Sequence, residues 1–474
     1  MERLEIRESN FSKTLENKDF RIDSQFYTQE PKKNKTLVYD KIGNVLEKAQ
    51  YGVSISMNED NLGYPIYRMN EIHTMMCDLE VGKSAELSSN EMETFRLNDR
   101  DVLFNRTNSF EWVGRTGLYK KQDDRDFVFA SYLVRFIPNQ NKILPEYMVA
   151  FLSSKQGIWD VKRRARQSIN QTNVNPEEVK NIDIPILSFS IQMKIKDCFD
   201  NAHENKLISA KKYTQAEEIL FQEIGLLDFQ PSKEQINVKS FKESFGASGR
   251  LDAEYYQKKF EDVIEKIKSQ RYHTLKHIVS ISKSIEPGSN SYSDDETGLP
   301  FMRVSDYDKF GLTEPNKRLT FDFVKENQDK IDVLKPKKGT ILFSKDGSVG
   351  TAYHLREDFE GVNSGAILHL KVKNQKEVLP EYLTLALNSK VVKMQAERDA
   401  GGSIILHWRV GEIENVIVPI IDFDKQKQIA ELVEESFKLK KQGEQLLEIA
   451  KRSVEIAIEE NEAKALKYIE QNMV

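Results

Sequence analysis

Only two cysteines, Cys77 and Cys198, occur in the 474 residues, which excludes a disulfide framework and a four-cysteine zinc site and fits a reducing compartment. No eighteen apolar residues run together, and the opening MERLEIRESN has no apolar stretch of the secretory kind, so a soluble cytoplasmic protein with no membrane contact is expected. Positive charge is not in excess either. The 70 Lys and Arg face 75 Asp and Glu, a formal net charge of −5, so nucleic-acid binding would have to come from local patches. No Pro-Pro pair exists, which removes the Pro-Pro-aromatic turn that grips a flipped base in an amino-methyltransferase. The seven histidines form no His-Glu-x-x-His and the cysteines no Cys-x-x-Cys, leaving no scaffold for a catalytic metal legible in sequence. Val81-Gly82-Lys83-Ser84 imitates a phosphate loop, but Cys77 stands where its leading glycine belongs.

What is present is a repeat. Arg21-Ile22-Asp23-Ser24-Gln25-Phe26-Tyr27 returns 229 residues later as Arg250-Leu251-Asp252-Ala253-Glu254-Tyr255-Tyr256. Pro65-Ile66-Tyr67-Arg68 returns as Pro300-Phe301-Met302-Arg303, Leu103-Phe104 as Leu342-Phe343, and Leu144-Pro145-Glu146-Tyr147 as Leu379-Pro380-Glu381-Tyr382. Asn181-Ile182-Asp183-Ile184-Pro185 returns as Asn415-Val416-Ile417-Val418-Pro419, at an offset of 234. Five matches in one order outweigh coincidence of common tetrapeptides, and a period this long is a duplicated domain and not a solenoid unit.

Within a half, strand and helix signals alternate without the regular rhythm of a doubly wound parallel sheet, so the fold class is α+β. Ala366, Leu368, Leu370 and Val372 alternate with Ile367, His369 and Lys371, the period of a half-buried strand whose counterpart is Phe127 to Ile137. Pro380 then opens a helix striped by Leu383, Leu387, Val391 and Met394, with Pro145 to Lys155 as its twin.

Each half closes on a long helix rich in Lys, Glu and Gln. One stripe runs through Ile191, Ile195, Cys198 and Ala202, lapses near Lys206 and resumes at Tyr213, Ala216 and Leu220. The other runs through Ile429, Val433 and Phe437, then Leu447, Ala450, Val454 and Ala457. Helices of this length outrun their own domains, so the expectation is that they pair as an antiparallel coiled coil with the domains at opposite ends. The alternative is that each folds back on its own domain. The expected division is 1–188 and 250–422 for the two domains, 189–225 and 423–474 for the helices, and 226–249 for a linker containing Pro231, Gly246 and Gly249.

The DNA candidates follow from charge and amide chemistry. Lys155, Lys162, Arg163, Arg164 and Arg166, against Asp160 alone, cluster around Trp159 and suit phosphate contacts, although a solvated helix face would look the same. Gln167, Asn170, Gln171 and Asn173 follow, amides able to pair with adenine. The matching stretch of the second half carries His407, Trp408 and Arg409 instead. Arg106, Asn108 and Arg115 in the first loop, Lys345, Asp346 and Ser348 in the second, and the matched Arg68 and Arg303 complete the set, each open to the alternative of a surface ion pair. One scaffold with different polar residues at matching positions predicts an asymmetric target, its half-sites about one helical turn, roughly 34 Å, apart.

These features resemble the specificity subunit of type I restriction-modification systems over nearly the whole chain. Arg250 to Tyr256 resembles that family's opening of a recognition domain, Gly339-Thr340-Ile341-Leu342-Phe343-Ser344-Lys345-Asp346-Gly347-Ser348-Val349-Gly350 its strand and glycine loop, and Ile417-Val418-Pro419-Ile420 leading to Lys425-Gln426-Lys427-Gln428-Ile429-Ala430 its start of a spacer helix. The first-half loop, Leu103 to Gly114, departs from that pattern in being longer and poorer in glycine. The resemblance implies a non-catalytic subunit of two target-recognition domains that reads a two-part site in double-stranded DNA. It implies no cofactor on this chain. Two modification subunits would supply adenine methylation with S-adenosylmethionine, and a motor and nuclease subunit, where present, would use ATP and magnesium. The rival readings are a duplicated protein-binding scaffold with a helical dimerisation rod, and an enzyme with an unrecognised site such as a nuclease.

Overall fold

The structure, a computed structural model, describes all residues except 1–7, 9, 16–21, 170, 235, 294–296, 403 and 474. Arg21 of the repeated motif therefore lies outside the described residues. The chain divides into two compact units, Met1–Ile208 with Leu439–Val474, and Ser209–Lys438.

In the first unit an antiparallel sheet runs in the order Leu46–Tyr51, Leu133–Pro138, Val102–Asn105, Thr116–Leu118. Its central strands bury side chains on both faces. Val102, Phe104, Val134 and Phe136 point into the core beneath the helix Pro145–Leu152, and Leu103 and Leu133 point into a second core with Tyr67, Phe127 and Phe129. That second core lies under a smaller sheet in which Tyr64–Tyr67 pairs in parallel with Val128–Phe129.

The second unit repeats the plan. Its sheet runs Val279–Lys283, Ile367–Val372, Ile341–Ser344, Ala352–His354, and Leu299–Met302 pairs in parallel with Val362–Asn363. The strand expected to be half-buried is buried on both faces from Ile367 to Leu370, because this smaller sheet covers the side that an isolated layer would leave wet. The paired helices after it are Pro380–Asn388 and Lys390–Asp399, with Ser389 between them, so the stripe through Leu383 and Met394 belongs to two helices and not one.

The long helices span Phe189–Glu223 and Phe423–Glu459. In the first unit Ile191, Ile195, Cys198, Phe199 and Ala202 share a core with Leu447, Ala450, Val454 and Ala457. In the second, Tyr213, Ala216 and Leu220 share one with Ile429 and Val433. There the helices run antiparallel: Ser209 Oγ donates to the Ser436 carbonyl at 2.8 Å, Lys212 pairs with Glu435 at 2.8 Å, and Glu223 pairs with Lys425 at 3.0 Å. Helix pairing and packing on the domains thus coexist. The lapses in both apolar stripes fall where each helix leaves one unit's core for the other's.

The distal helix is not continuous to the end of the chain. It stops at Glu459, and Asn461 opens a separate helix, Glu462–Asn472, by accepting the Lys464 amide on its side chain at 2.9 Å. Ala465 and Ile469 of that helix are buried in the first unit's core.

Candidate nucleic-acid interface

In each unit the central strand of the larger sheet runs out into a loop, and a second segment returns beside it. In the first unit Thr107–Asn108 pairs with Thr172–Asn173, which pairs in turn with Arg166–Gln167, a three-stranded ribbon. In the second, Asp346 bridges to His407, and the Trp408 amide donates to the Lys345 carbonyl at 2.7 Å, as the Val174 amide donates to Arg106 at 2.9 Å. These bonds make Arg106 the counterpart of Lys345, Thr107 of Asp346, and Asn173 of His407.

The matched cross-strand pair differs in chemistry. The Thr107 hydroxyl meets the Asn173 amide oxygen at 2.6 Å, and His407 Nδ1 meets the Asp346 carboxylate at 2.9 Å. Asp346 also holds the Lys345 ammonium. In one rim a buried hydroxyl, Thr107 at 6% exposure, holds a half-buried amide; in the other an exposed imidazole, a carboxylate and an ammonium meet, so one backbone frame carries different donors and acceptors.

The first loop is braced by cation–ring contacts. Arg115 stacks 3.1 Å from the centre of the Trp112 ring, and Arg106 lies 5.2 Å over Tyr51. Lys162 reaches the loop from its helix and donates to the carbonyls of Phe110 and Glu111. Burial lowers Lys162 to about 8 and Arg115 to about 10. Gly114 closes the loop, its amide returning to the Asn105 carbonyl at 2.8 Å, with φ +88° and a position where a Cβ would lie 2.5 Å from Val161. Gly350 makes the same return to Ser344 at 2.9 Å in the second unit. Asn108 turns its side-chain oxygen to the Ser109 amide at 2.8 Å, and Ser348 is exposed on the shorter second loop.

Several candidates from the basic cluster prove to be part of the scaffold. Arg164 is 5% exposed and pairs with Asp160 and Glu178, each at 3.0 Å. Arg163 pairs with Asp160 at 2.6 Å, donates to the Phe26 carbonyl at 2.7 Å and covers the Phe26 ring. A sequence cannot show that the single acid in the cluster, Asp160, is buried beside both arginines. Trp408 is 1% exposed and packs on Phe343, so its ring supports the rim from beneath and is not presented on it. Arg68 pairs with Glu71 and Arg303 with Asp306, each across a single turn, so the matched arginines make the same local contact in the two copies.

Arg106, Arg166, Asn173, Lys345, Ser348, His407 and Arg409 remain at the two rims, Arg409 exposed before the short helix Val410–Glu414. Asn170 lies outside the described residues. Polarity-based reading missed Tyr51 and Trp112, which seat the cations, and the exposed aliphatic residues Ile169, Ile404, Ile405 and Leu406. An apolar residue inside a polar turn was the available signal.

Among the described residues, no group of three or more His, Cys, Asp or Glu is placed to hold a metal ion, and no helix is long and apolar enough to cross a membrane. Two copies of one scaffold, each with a rim of polar side chains that includes a cation and with an exposed aliphatic tip, define a tandem-domain reader of nucleic acid. Residues 34–218 and 258–448 match the family described as "Type I restriction modification DNA specificity domain", and the chain belongs to that family. This chain is accordingly a DNA-specificity subunit and not itself an enzyme, and its family works in type I restriction-modification complexes that bind DNA and assemble with other subunits.

A Methanocaldococcus jannaschii protein assigned as the MjaX type I restriction enzyme specificity subunit is 24% identical over 415 residues, covering 87% of this chain and 90% of that one. The EcoKI specificity subunit of Escherichia coli is 28% identical over 139 residues, 29% of this chain and 30% of its own. The crystal structure of the type I S subunit from M. genitalium aligns with a TM-score of 0.38 at 14% identity, covering 93% of this chain and 98% of that one.

Proposed function

We propose that the chain reads an asymmetric two-part site in double-stranded DNA, one half with each domain, and recruits two modification subunits that methylate adenine. S-adenosylmethionine belongs to those subunits, and ATP and magnesium to a motor and nuclease subunit in complexes that restrict. The working compartment is the cytoplasm. Residues 1–188 and 250–422 do the reading, 189–225 and 423–474 serve as spacer, and 226–249 joins the halves.

The observation that carries the asymmetry is the matched pair, Thr107 with Asn173 in one rim and Asp346 with His407 in the other. Identical half-sites would call for identical donors at matched positions, and these differ in both charge and hydrogen-bond polarity. Arg106 and Lys345, cations at one structural position, supply phosphate contacts that set register without reading sequence.

Co-expression with a methyltransferase of the same system, followed by single-molecule sequencing of host DNA, tests this. An asymmetric two-part motif that vanishes when the gene is deleted is the expected result. Exchanging Asp346 and His407 for Thr and Asn should change the second half of the motif alone. Methylation that survives deletion, together with a purified complex that ignores DNA at low salt, would overturn the reading.

A further inference from the structure

The rim of each domain ends in an aliphatic tip that no core uses. In the first, the Arg166–Gln167 and Thr172–Asn173 strands are joined by a tight turn in which the Ser168 amide and hydroxyl both donate to the Gln171 carbonyl at 2.8 Å. Ile169 sits in that turn at 101% exposure. In the second, Gly401 and His407 exchange backbone hydrogen bonds of 3.1 and 2.7 Å, and between them Ile404 is 95% exposed, with Ile405 and Leu406 also exposed.

Turns of this kind ordinarily take Gly, Asn, Asp or Ser, because those residues satisfy the backbone and are well solvated. None of the four aliphatic side chains at the two matched tips joins a hydrophobic core. Nor is the second tip a loose loop: the Gly347 amide donates to the Leu406 carbonyl at 2.9 Å. Gly402 adopts φ +135°, and a Cβ there would lie 2.0 Å from the Ile405 carbonyl oxygen, so the turn is built around a glycine. Both tips are held in place and surrounded by polar groups, Gln167 and Gln171 on one and His407 and Lys345 on the other.

We infer that these tips read thymine, with each ribbon entering the major groove and its aliphatic residue packing on a thymine C5-methyl group. The inference rests on the DNA-reading function proposed above. The major groove admits a two-stranded ribbon, and the thymine methyl is the apolar, base-specific feature on its floor. The flanking cations and amides match the phosphates and base edges that border such a methyl. With three aliphatic residues against one, the second domain's half-site carries the stronger thymine dependence.

The test uses the full chain co-purified with its methyltransferase and a duplex carrying the mapped site, in which thymines are replaced one at a time by uracil, which lacks only the methyl. Binding should weaken about fourfold at a contacted thymine in each half-site, the effect of burying one carbon group. In Ile169→Ser the uracil effect should disappear from one half-site only, and in the triple variant Ile404→Ser, Ile405→Ser, Leu406→Ser from the other, with melting temperatures unchanged.

Uracil duplexes that bind like thymine duplexes, or a uracil effect that persists in the serine variants, would overturn the inference while leaving DNA reading intact. A rise in 2-aminopurine fluorescence on binding that is lost in Ile169→Ser would also overturn it, because the tip would then be a wedge that unstacks bases. Failure of the wild-type complex to prefer its site at any salt concentration would instead sink the underlying DNA-reading function.

Discussion

Arg106 and Arg164 carry the same charge and serve different ends. Arg164 is enclosed by Asp160 and Glu178, so Arg164→Ala leaves the buried Glu178 carboxylate uncompensated and Asp160 with Arg163 alone, and should cost about 3–5 kcal/mol in urea unfolding. Arg106→Ala should leave the unfolding midpoint unchanged while weakening DNA binding, with the salt-dependence slope reduced by about 1 in titrations at several ionic strengths. A second residue-scale effect comes from His369, which burial lowers from 6.5 to about 4, with Asn363 beside its Nε2. The neutral ring is the folded form, so its contribution is full above pH 6.5 and is lost as pH falls toward 4. The difference in stability between wild type and His369→Gln, followed by urea unfolding from pH 7 to 4, should narrow by that amount. Charge type was legible in the sequence at all these positions. Burial was not, because whether Asp160 lies beneath Arg164 depends on how the helix Lys155–Arg164 packs, which residue identity alone leaves open.

At the scale of elements, periodicity located the strands and both long helices but misjudged how many layers would cover them. Ile367–Val372 reads as a strand with one wet face, and only the smaller sheet, built from segments distant in sequence, buries the other. The break before the last helix was equally concealed, since Asn461 sits in a charged stretch with good helix formers on both sides. Its effect is nevertheless local and measurable. Asn461→Ala removes the cap and should cost about 1 kcal/mol, whereas Ile469→Ala, which opens a cavity in the first unit's core, should cost about 2–5 kcal/mol by thermal or urea unfolding. The repeated motifs predicted matching topology, and both sheets follow one strand order; what differs is the loop that each central strand feeds, where the two copies diverge in length and chemistry.

At the scale of the whole chain, the first unit is assembled from residues far apart in sequence, Met1–Ile208 and Leu439–Val474, whereas the second is a single stretch. A chain ending at Lys438 should therefore keep a protease-resistant second unit and lose the first, because Ile191, Ile195, Cys198 and Phe199 would have no covering helix. Limited proteolysis with mass analysis of the surviving fragments would check this.

The same discontinuity sets an order of events during synthesis. As the chain emerges from its N-terminus, the residues of the first unit appear early but cannot close their core, while the second unit has all its parts once Lys438 has cleared the ribosome. The half made first must wait for the half made second, and through that interval its exposed helix face is open to chaperones or to a neighbouring copy still being made.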